Sequence, residues 1–266
     1  MQIEDKVFVV TGGGSGIGRE LVLNLLGKGA QVAAVDINAA ALAETAVLAG
    51  DHATALSTHV ASVADRDAVE ALPDAVVAAH GGVDAIINNA GIIQPFVRIN
   101  DLDLETMQRV LDVNLYGVLY MTKAFLPLLL ERPEAHIANI SSMGGFLPVP
   151  GQTLYGATKA AVKLLTEGLY AELQGSNVGV TVIFPGAIAT NIAANSGIDV
   201  GEGAGDASQS TPADAAAETI VQGIADNAYR VLVGPDAEMM DNLYRQDPQN
   251  AVMIITQQMA NLLPPL

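Results

Sequence analysis

An α/β fold, one doubly wound parallel sheet of about seven strands with helices on both faces, is predicted by three features of the sequence. Short runs rich in Val, Ala and Ile alternate with longer amphipathic runs, as βαβ units require. The short runs are apolar throughout instead of alternating, which is the pattern of strands buried on both faces. The first of them leads through a glycine-rich turn, TGGGSGIGRE, straight into a helical pattern. Strands are therefore expected at Val7 to Thr11, Gln31 to Asp36, Thr54 to His59, Ala85 to Asn88, His136 to Ser141, Gly179 to Phe184 and Arg230 to Val233. Helices fill the intervals, the longest from Leu104 to Leu130 with a bend expected at Pro127, the next from Thr153 to Leu173. The stretch from Ala193 to Thr211 is rich in Gly, Ser and Asp and has no hydrophobic period, so it reads as a mobile lid loop and not a linker. A single domain over residues 1 to 266 is the expectation at this length. The final MIITQQMANLLPPL reads as a helix with an apolar tail that packs at a subunit contact.

Composition removes several function classes. A net charge of −17 repels phosphate backbones and anionic lipid, so nucleic acid, membrane and acidic carrier proteins are poor partners. Cysteine is absent, which excludes disulfides, Cys-ligated zinc and cysteine nucleophiles. His52, His59, His80 and His136 lack metal-ligand spacing, and no metal is expected. The strand-like VFVVT begins too near Met1, without a basic flank, for a signal peptide, and no segment reads as long and apolar enough to span a bilayer. A soluble cytoplasmic protein is the expectation.

The glycine turn does not match the strict G-x-G-x-x-G fingerprint in any register. Gly12, Gly16 and Gly18 instead form G-x-x-x-G-x-G between strand and helix. Glycines there admit a pyrophosphate close to the backbone, where free N–H groups and the positive helix end stabilise it. A bare turn is the alternative, and Asp36 at the end of the second strand argues against it, because an acid there accepts hydrogen bonds from an adenosine ribose. The same carboxylate repels a 2′-phosphate, and neither Ser15 nor Ile37 offers a cation, so NAD is favoured over NADP. Asp36 could instead serve as a turn or cap residue, a role that Asn38 could take.

Farther along, AIINNAG places Asn88 to Gly91 where a strand ends, the sheet edge at which ligands collect. Asn114 interrupts the apolar long helix, so it is either tied into a polar network or turned to solvent. Ser141 and Ser142 end the fifth strand. Tyr155 and Lys159, four residues apart, project from one helix face. The thirteen residues from Ser142 to Tyr155 suffice to return the chain to the same edge.

In that order and at those separations, TGGGSGIG, NNAG, Asn114, Ser142 and the Y-x-x-x-K of Tyr155 and Lys159 resemble the short-chain dehydrogenase/reductase family, over about Lys6 to Val233. The resemblance implies a Rossmann-type domain with a cofactor shell of Gly12, Ser15, Gly16, Ile17 and Gly18, then Asp36, Ile37 and Val60, then Asn89, Ala90 and Gly91. It extends the shell through Tyr155 and Lys159 to Pro185, Gly186, Ile188 and Thr190. It implies catalysis by Asn114, Ser142, Tyr155 and Lys159, with Ser142, Phe146, Tyr155 and Ile192 around the substrate. Tyr155 would exchange a proton with an alcohol, Ser142 would stabilise charge on its oxygen, and Asn114 would hold a water leading to Lys159. Homotetramers through the two long helices are the family habit. His59 departs from the pattern, standing where an acidic residue usually touches adenine.

A phenol with pKa near 10 needs roughly 3 to 4 kcal/mol favouring phenolate to work near neutrality. The Lys159 ammonium and the positive nicotinamide ring are the expected sources. Ile93, Pro95, Phe96, Phe146, Leu147, Val149, Ile188 and Ile192 make the expected substrate surroundings apolar, which suggests a hydrophobic secondary alcohol or its ketone. No Arg or Lys cluster marks an anion clamp, although Arg98 stands near the expected entrance. An NAD-binding sensor on the same fold, without turnover, is the second reading, and it would be expected to lose Tyr155 or Lys159. A methyltransferase using S-adenosylmethionine is the third, and it has no use for that pair.

Overall fold

The computed structural model describes residues 1–198, 210–259 and 263. Among them, strands β1 (Val7–Thr11), β2 (Gln31–Asp36), β3 (Leu56–Val60), β4 (Ala85–Asn88), β5 (Ala135–Ile140), β6 (Val178–Pro185) and β7 (Arg230–Val233) form a seven-stranded sheet in the order β3-β2-β1-β4-β5-β6-β7. Every pairing is parallel. The winding direction reverses between β1 and β4, and that reversal opens a crevice at the carboxyl ends of the strands.

Helices α1 (Gly16–Gly27), α2 (Ala39–Leu48), α3 (Arg66–His80), α4 (Leu104–Leu111), α5 (Gly117–Leu130), α6 (Thr153–Glu172), α7 (Ile192–Asn195), α8 (Ala213–Ala225), α9 (Pro235–Gln246) and α10 (Pro248–Gln258) follow in chain order. Successive strand residues point to opposite faces, so Phe8 and Val10 pack with Leu21, Leu25 and Ile220 of α1 and α8. Val7 and Val9 pack on the other side with Val76 and Phe125 of α3 and α5. The inner strands β1, β4 and β5 are buried throughout, which is why they read as nearly unbroken apolar runs, whereas the edge strand β3, LSTHV, is partly exposed.

The structure departs from the sequence reading at several element bounds and inside the long helix. Strand β3 begins at Leu56 and not Thr54, because the chain leaves α2 through a 3₁₀ turn, Gly50–Ala55, that Gly50 opens at φ +53°. Pro127 lies inside α5 without ending it, and the long helix is interrupted earlier by a π turn at Asp112–Tyr116. That run of 27 residues is, by length and composition, apolar enough to cross a membrane, contrary to the sequence reading. Its Val118, Met121, Phe125 and Leu129 are buried, so core packing accounts for part of the hydropathy, while Leu104, Tyr116 and Leu130 are exposed. Part of the expected lid, residues 199–209, lies outside the described residues. Its flanks are the short helix α7 and a bridge between Ile188 and Thr211. In the apolar tail, Leu263 Cδ2 lies beside Gly151, 3.1 Å from where a Cβ on that glycine would be, with the Phe96 backbone at 3.3 Å from the same point.

Beyond β7, the Arg230 guanidinium clamps Asp241 with two hydrogen bonds of 2.7 and 2.6 Å and lies 4.6 Å from the Phe184 ring centre. This ion pair, closed over by aromatic rings, fastens α9 to the sheet beside Phe146.

At the amino-terminal edge of β5, His136 is buried with its Nε2 on Thr181 (2.9 Å). Burial, and after it the Met1 ammonium, hold its pKa down at about 3. The unfolded chain therefore takes up a proton below about 6.5 that the folded chain refuses, and stability falls with pH across that window. Denaturant titrations should show a loss of about 2 kcal/mol between pH 6.5 and pH 5 from this group, a share that His136→Gln should abolish. Equal losses in parent and variant would exclude it.

Candidate active site

The glycine turn is fixed from beneath. Thr11, the last residue of β1, accepts the N–H groups of Asn89 and Ala90 on its hydroxyl (3.0 Å each), and Asn89 Nδ2 donates to the Thr11 carbonyl (2.9 Å). Gly12 takes φ +70°, which side-chain-bearing residues avoid. At Gly18 a Cβ would collide with the Gly12 carbonyl oxygen. Ser15 caps α1 without a side-chain hydrogen bond, and its hydroxyl instead accepts Asn195 Nδ2 of α7 (2.8 Å). No cap side chain therefore takes the first-turn N–H groups of α1, and at a helix start these and the dipole favour an anion.

Asp36 holds the turn from the side. Its Oδ2 accepts the Gly14 N–H (3.0 Å) and its Oδ1 the Asn38 N–H (2.9 Å), while Asn38 caps α2 by accepting from Ala41 (3.1 Å). Both carboxylate oxygens keep further lone pairs for a ligand. Arg19 cannot serve as a ready cation for a phosphate, because it donates to the Gly14 carbonyl (2.6 Å) and pairs with Glu44 (2.6 Å). Ile37 and Val60 are exposed at the ends of β2 and β3, apolar surfaces beside the turn. His59 Nε2 is bonded to Ser57 Oγ (2.8 Å), which also meets His80 Nε2 (2.7 Å), and burial lowers both imidazole pKa values, His80 lowering His59 further.

On the other side of the crevice, Asn114 is fully buried, which removes the solvent-facing alternative. It sits inside the π turn, a winding that widens the helix and lets its side chain reach across. Its Oδ1 accepts the Ile92 N–H and its Nδ2 donates to the Ile92 carbonyl, both at 2.8 Å, and Nδ2 also reaches Thr158 (3.2 Å). Lys159 is buried and donates Nζ to the Ile140 carbonyl (3.0 Å). A Cβ on Gly91 would lie 3.2 Å from Lys159 Nζ and 3.4 Å from Asn114 Oδ1, so a glycine here lets the backbone approach both polar groups closely.

Ser142 and Tyr155 meet over Gly144, where a Cβ would lie 3.4 Å from both Ser142 Oγ and Tyr155 Cε1. Burial pushes the Tyr155 phenol above its ordinary value, and the hydrogen bond with Ser142 opposes that rise. Lys159 Nζ stands 5.9 Å from the Tyr155 ring centre, and burial lowers its own pKa to about 8. Of the two expected sources, Lys159 by itself does not bring the phenol down: in the protein alone desolvation wins.

Gly186 and Ala187 follow β6, with the Ala187 N–H held by Asp236 Oδ2 (2.7 Å). Thr190 packs on Gly16, 3.2 Å from where its Cβ would be. Ile192 starts α7, and the half-buried Phe146 packs edge-on to Phe184 (5.6 Å) and tilted against Tyr244 (6.1 Å). Sequence reasoning missed Gln94, buried beside the start of α6, and the Asn88–Asn139–Thr166 chain beneath the site (2.8 and 2.9 Å). A lone Gln in the apolar run IIQPF was the one signal available for Gln94.

A family model described as short chain dehydrogenase matches residues 6–200. The chain is 40% identical over 256 residues to the putative oxidoreductase SadH of Mycobacterium tuberculosis (strain CDC 1551 / Oshkosh), covering 91% of each. A solved short chain dehydrogenase/reductase from Burkholderia phymatum in complex with NAD is 27% identical, covers 94% of this chain and 96% of that one, and has a TM-score of 0.85. Levodione reductase is 27% identical over 88% of this chain and 98% of that chain, with a TM-score of 0.81.

Proposed function

The chain belongs to the short-chain dehydrogenase family, and on that premise we propose that it is an NAD-dependent oxidoreductase interconverting a hydrophobic secondary alcohol and its ketone. The observation that carries this reading is the convergence of Ser142, Tyr155 and Lys159 at the crevice that the glycine turn opens. The fit of the residues to a dinucleotide is supported by the closely packed glycines, the α1 start without a side-chain cap, and Asp36 in place of a cation.

When bound, NAD supplies a hydride acceptor and, reduced, a hydride donor. Gly12, Ser15, Gly16, Ile17 and Gly18 line the phosphates in this reading, and Asp36, Ile37 and Val60 the adenosine. Asn89 to Gly91, with Pro185, Gly186, Ile188 and Thr190, enclose the other half. Tyr155 Oη takes the proton from the alcohol hydroxyl and returns it in ketone reduction. Ser142 Oγ donates to the substrate oxygen as charge gathers there. Lys159, charged, favours the phenolate, and Asn114 Oδ1 orders a water beside Gly91 that passes protons toward Lys159 Nζ. Ile93 and Ile192 keep the substrate side apolar, with Leu147 buried in the core beneath Phe146. Exposed Leu104, Tyr116 and Leu130 on the α4 to α5 run and Leu164 on α6 support assembly as a homotetramer through these helices.

The test is to follow absorbance of the reduced cofactor with a panel of secondary alcohols and ketones, offering NAD and NADP separately. Turnover with NAD is expected, and turnover confined to NADP would overturn the assignment. Asp36→Ser should then weaken NAD and relieve the repulsion of a 2′-phosphate, narrowing the ratio of kcat/KM for NAD over NADP by about tenfold or more. An unchanged ratio would remove Asp36 from cofactor selection.

A further inference from the structure

Gln94 lies between β4 and α4, and its side chain is fully buried. Its polar atoms are spent on the start of α6. Nε2 donates to the Gly151 carbonyl (2.9 Å), while Oε1 accepts the N–H groups of Leu154 (2.9 Å) and Tyr155 (3.0 Å). In return, Gln152 Nε2 donates to the Gln94 carbonyl (2.6 Å). Helix α6 needs this, because Gln152 at its N-cap makes no side-chain cap of its own. Leu154 and Tyr155 are the second and third helical residues, whose N–H groups a Ser or Asp cap would normally satisfy. A residue 60 positions upstream supplies the cap instead.

The segment that carries Gln94 is itself anchored. Ile92 is bonded in both directions to Asn114, and the Ile93 N–H donates to Ser196 Oγ (3.0 Å). Gln94 thus ties the first turn of α6, with Tyr155 in it, to a stretch whose Gly91 faces Lys159 Nζ. We infer that Gln94 is a positioning residue for Tyr155: its carboxamide sets where the phenol stands relative to the Gly91–Ile93 segment, and through that the rate of proton transfer. It touches neither substrate nor cofactor in this role. The inference rests on the proposed work of Tyr155.

The chemistry of the clamp makes it separable from simple structural support. A neutral glutamic acid offers the same pattern, a carbonyl oxygen for two N–H groups and an O–H for the Gly151 carbonyl. Ionised, it has no donor and sets a negative oxygen against that carbonyl. Gln94→Glu should therefore work when protonated and fail when ionised. Gln94→Met keeps the volume and offers no hydrogen bond.

Turnover of one alcohol and ketone pair is measured from about pH 5 to about pH 9 for the parent, both Gln94 variants and Tyr155→Phe. NAD affinity and amide exchange at Leu154 and Tyr155 are measured alongside. Gln94→Met should lower kcat by about tenfold or more while NAD affinity stays within about twofold, and should speed exchange at the two amides. The ratio of Gln94→Glu to parent kcat should fall from near parity at acid pH as the carboxyl ionises. A ratio flat with pH overturns the inference, as does parental kcat in Gln94→Met. If Gln94→Met does not fold, the Glu ratio decides. Full turnover in Tyr155→Phe would overturn the reading of the site and this inference with it, whereas parental Gln94 variants beside an inactive Tyr155→Phe would overturn this inference alone.

Discussion

Tyr155→Phe is expected to bind NAD within about twofold of the parent and to lose about 10³-fold in kcat, the span a positioned acid or base supplies. The ring remains, so packing around Gly144 and the α6 cap should survive and the loss should fall on chemistry. Because burial raises the Tyr155 phenol and only the Ser142 hydrogen bond opposes it, the phenol is protonated across the neutral range in the protein alone. Alcohol oxidation in the parent should therefore rise toward alkaline pH, as the base form is populated, and ketone reduction should be favoured at lower pH. Both limbs should vanish from the residual rate of Tyr155→Phe. Pre-steady-state absorbance with saturating NAD checks this, and parental turnover in the variant would remove Tyr155 from the mechanism.

Lys159→Met should make the protein more stable and nearly inactive. Moving a buried ammonium from 10.5 to about 8 corresponds to about 3 kcal/mol of unfavourable burial at neutral pH. Leaving the Ile140 carbonyl without its donor returns about 1 kcal/mol of that. The variant should therefore gain about 2 kcal/mol at pH 7. The sign follows from the depressed pKa: the penalty is complete below about pH 8 and fades as pH rises toward 10.5, where the unfolded lysine also loses its proton. Turnover should fall about 100-fold or more as the charge beside the phenol is removed. Denaturant melts at neutral and alkaline pH, paired with kcat, test both halves. A destabilised variant would mean that the Ile140 hydrogen bond outweighs the desolvation.

The sheet was legible because strands buried on both faces write their apolar character continuously, and the glycine turn, Asp36 and the Tyr155 and Lys159 pair were legible because each is local. Spacing along one helix or one strand end brings their parts together. Gln94 was not legible, since its partners lie near Leu154 and nothing in IIQPF records them. The π turn was hidden for a related reason: the apolar period resumes on both sides of Asp112–Tyr116, and only Asn114 betrayed it. The start of β3 slipped because Thr54 suits a strand by type, while the chain from Gly50 to Ala55 is wound into a 3₁₀ turn. Phe146 was legible as an apolar residue near the site, but its ring contacts with Phe184, Tyr244 and Arg230 join elements far apart in the chain. The electrostatics of Tyr155 depended on burial, which spacing does not report.

The winding at Asp112–Tyr116 carries one residue more than a regular rod requires. The helices on either side would join without it, their outward faces unrotated. Scaffold and reactivity are thus encoded at separable places, and the polar reach of a single asparagine hangs on one extra residue in an otherwise ordinary rod.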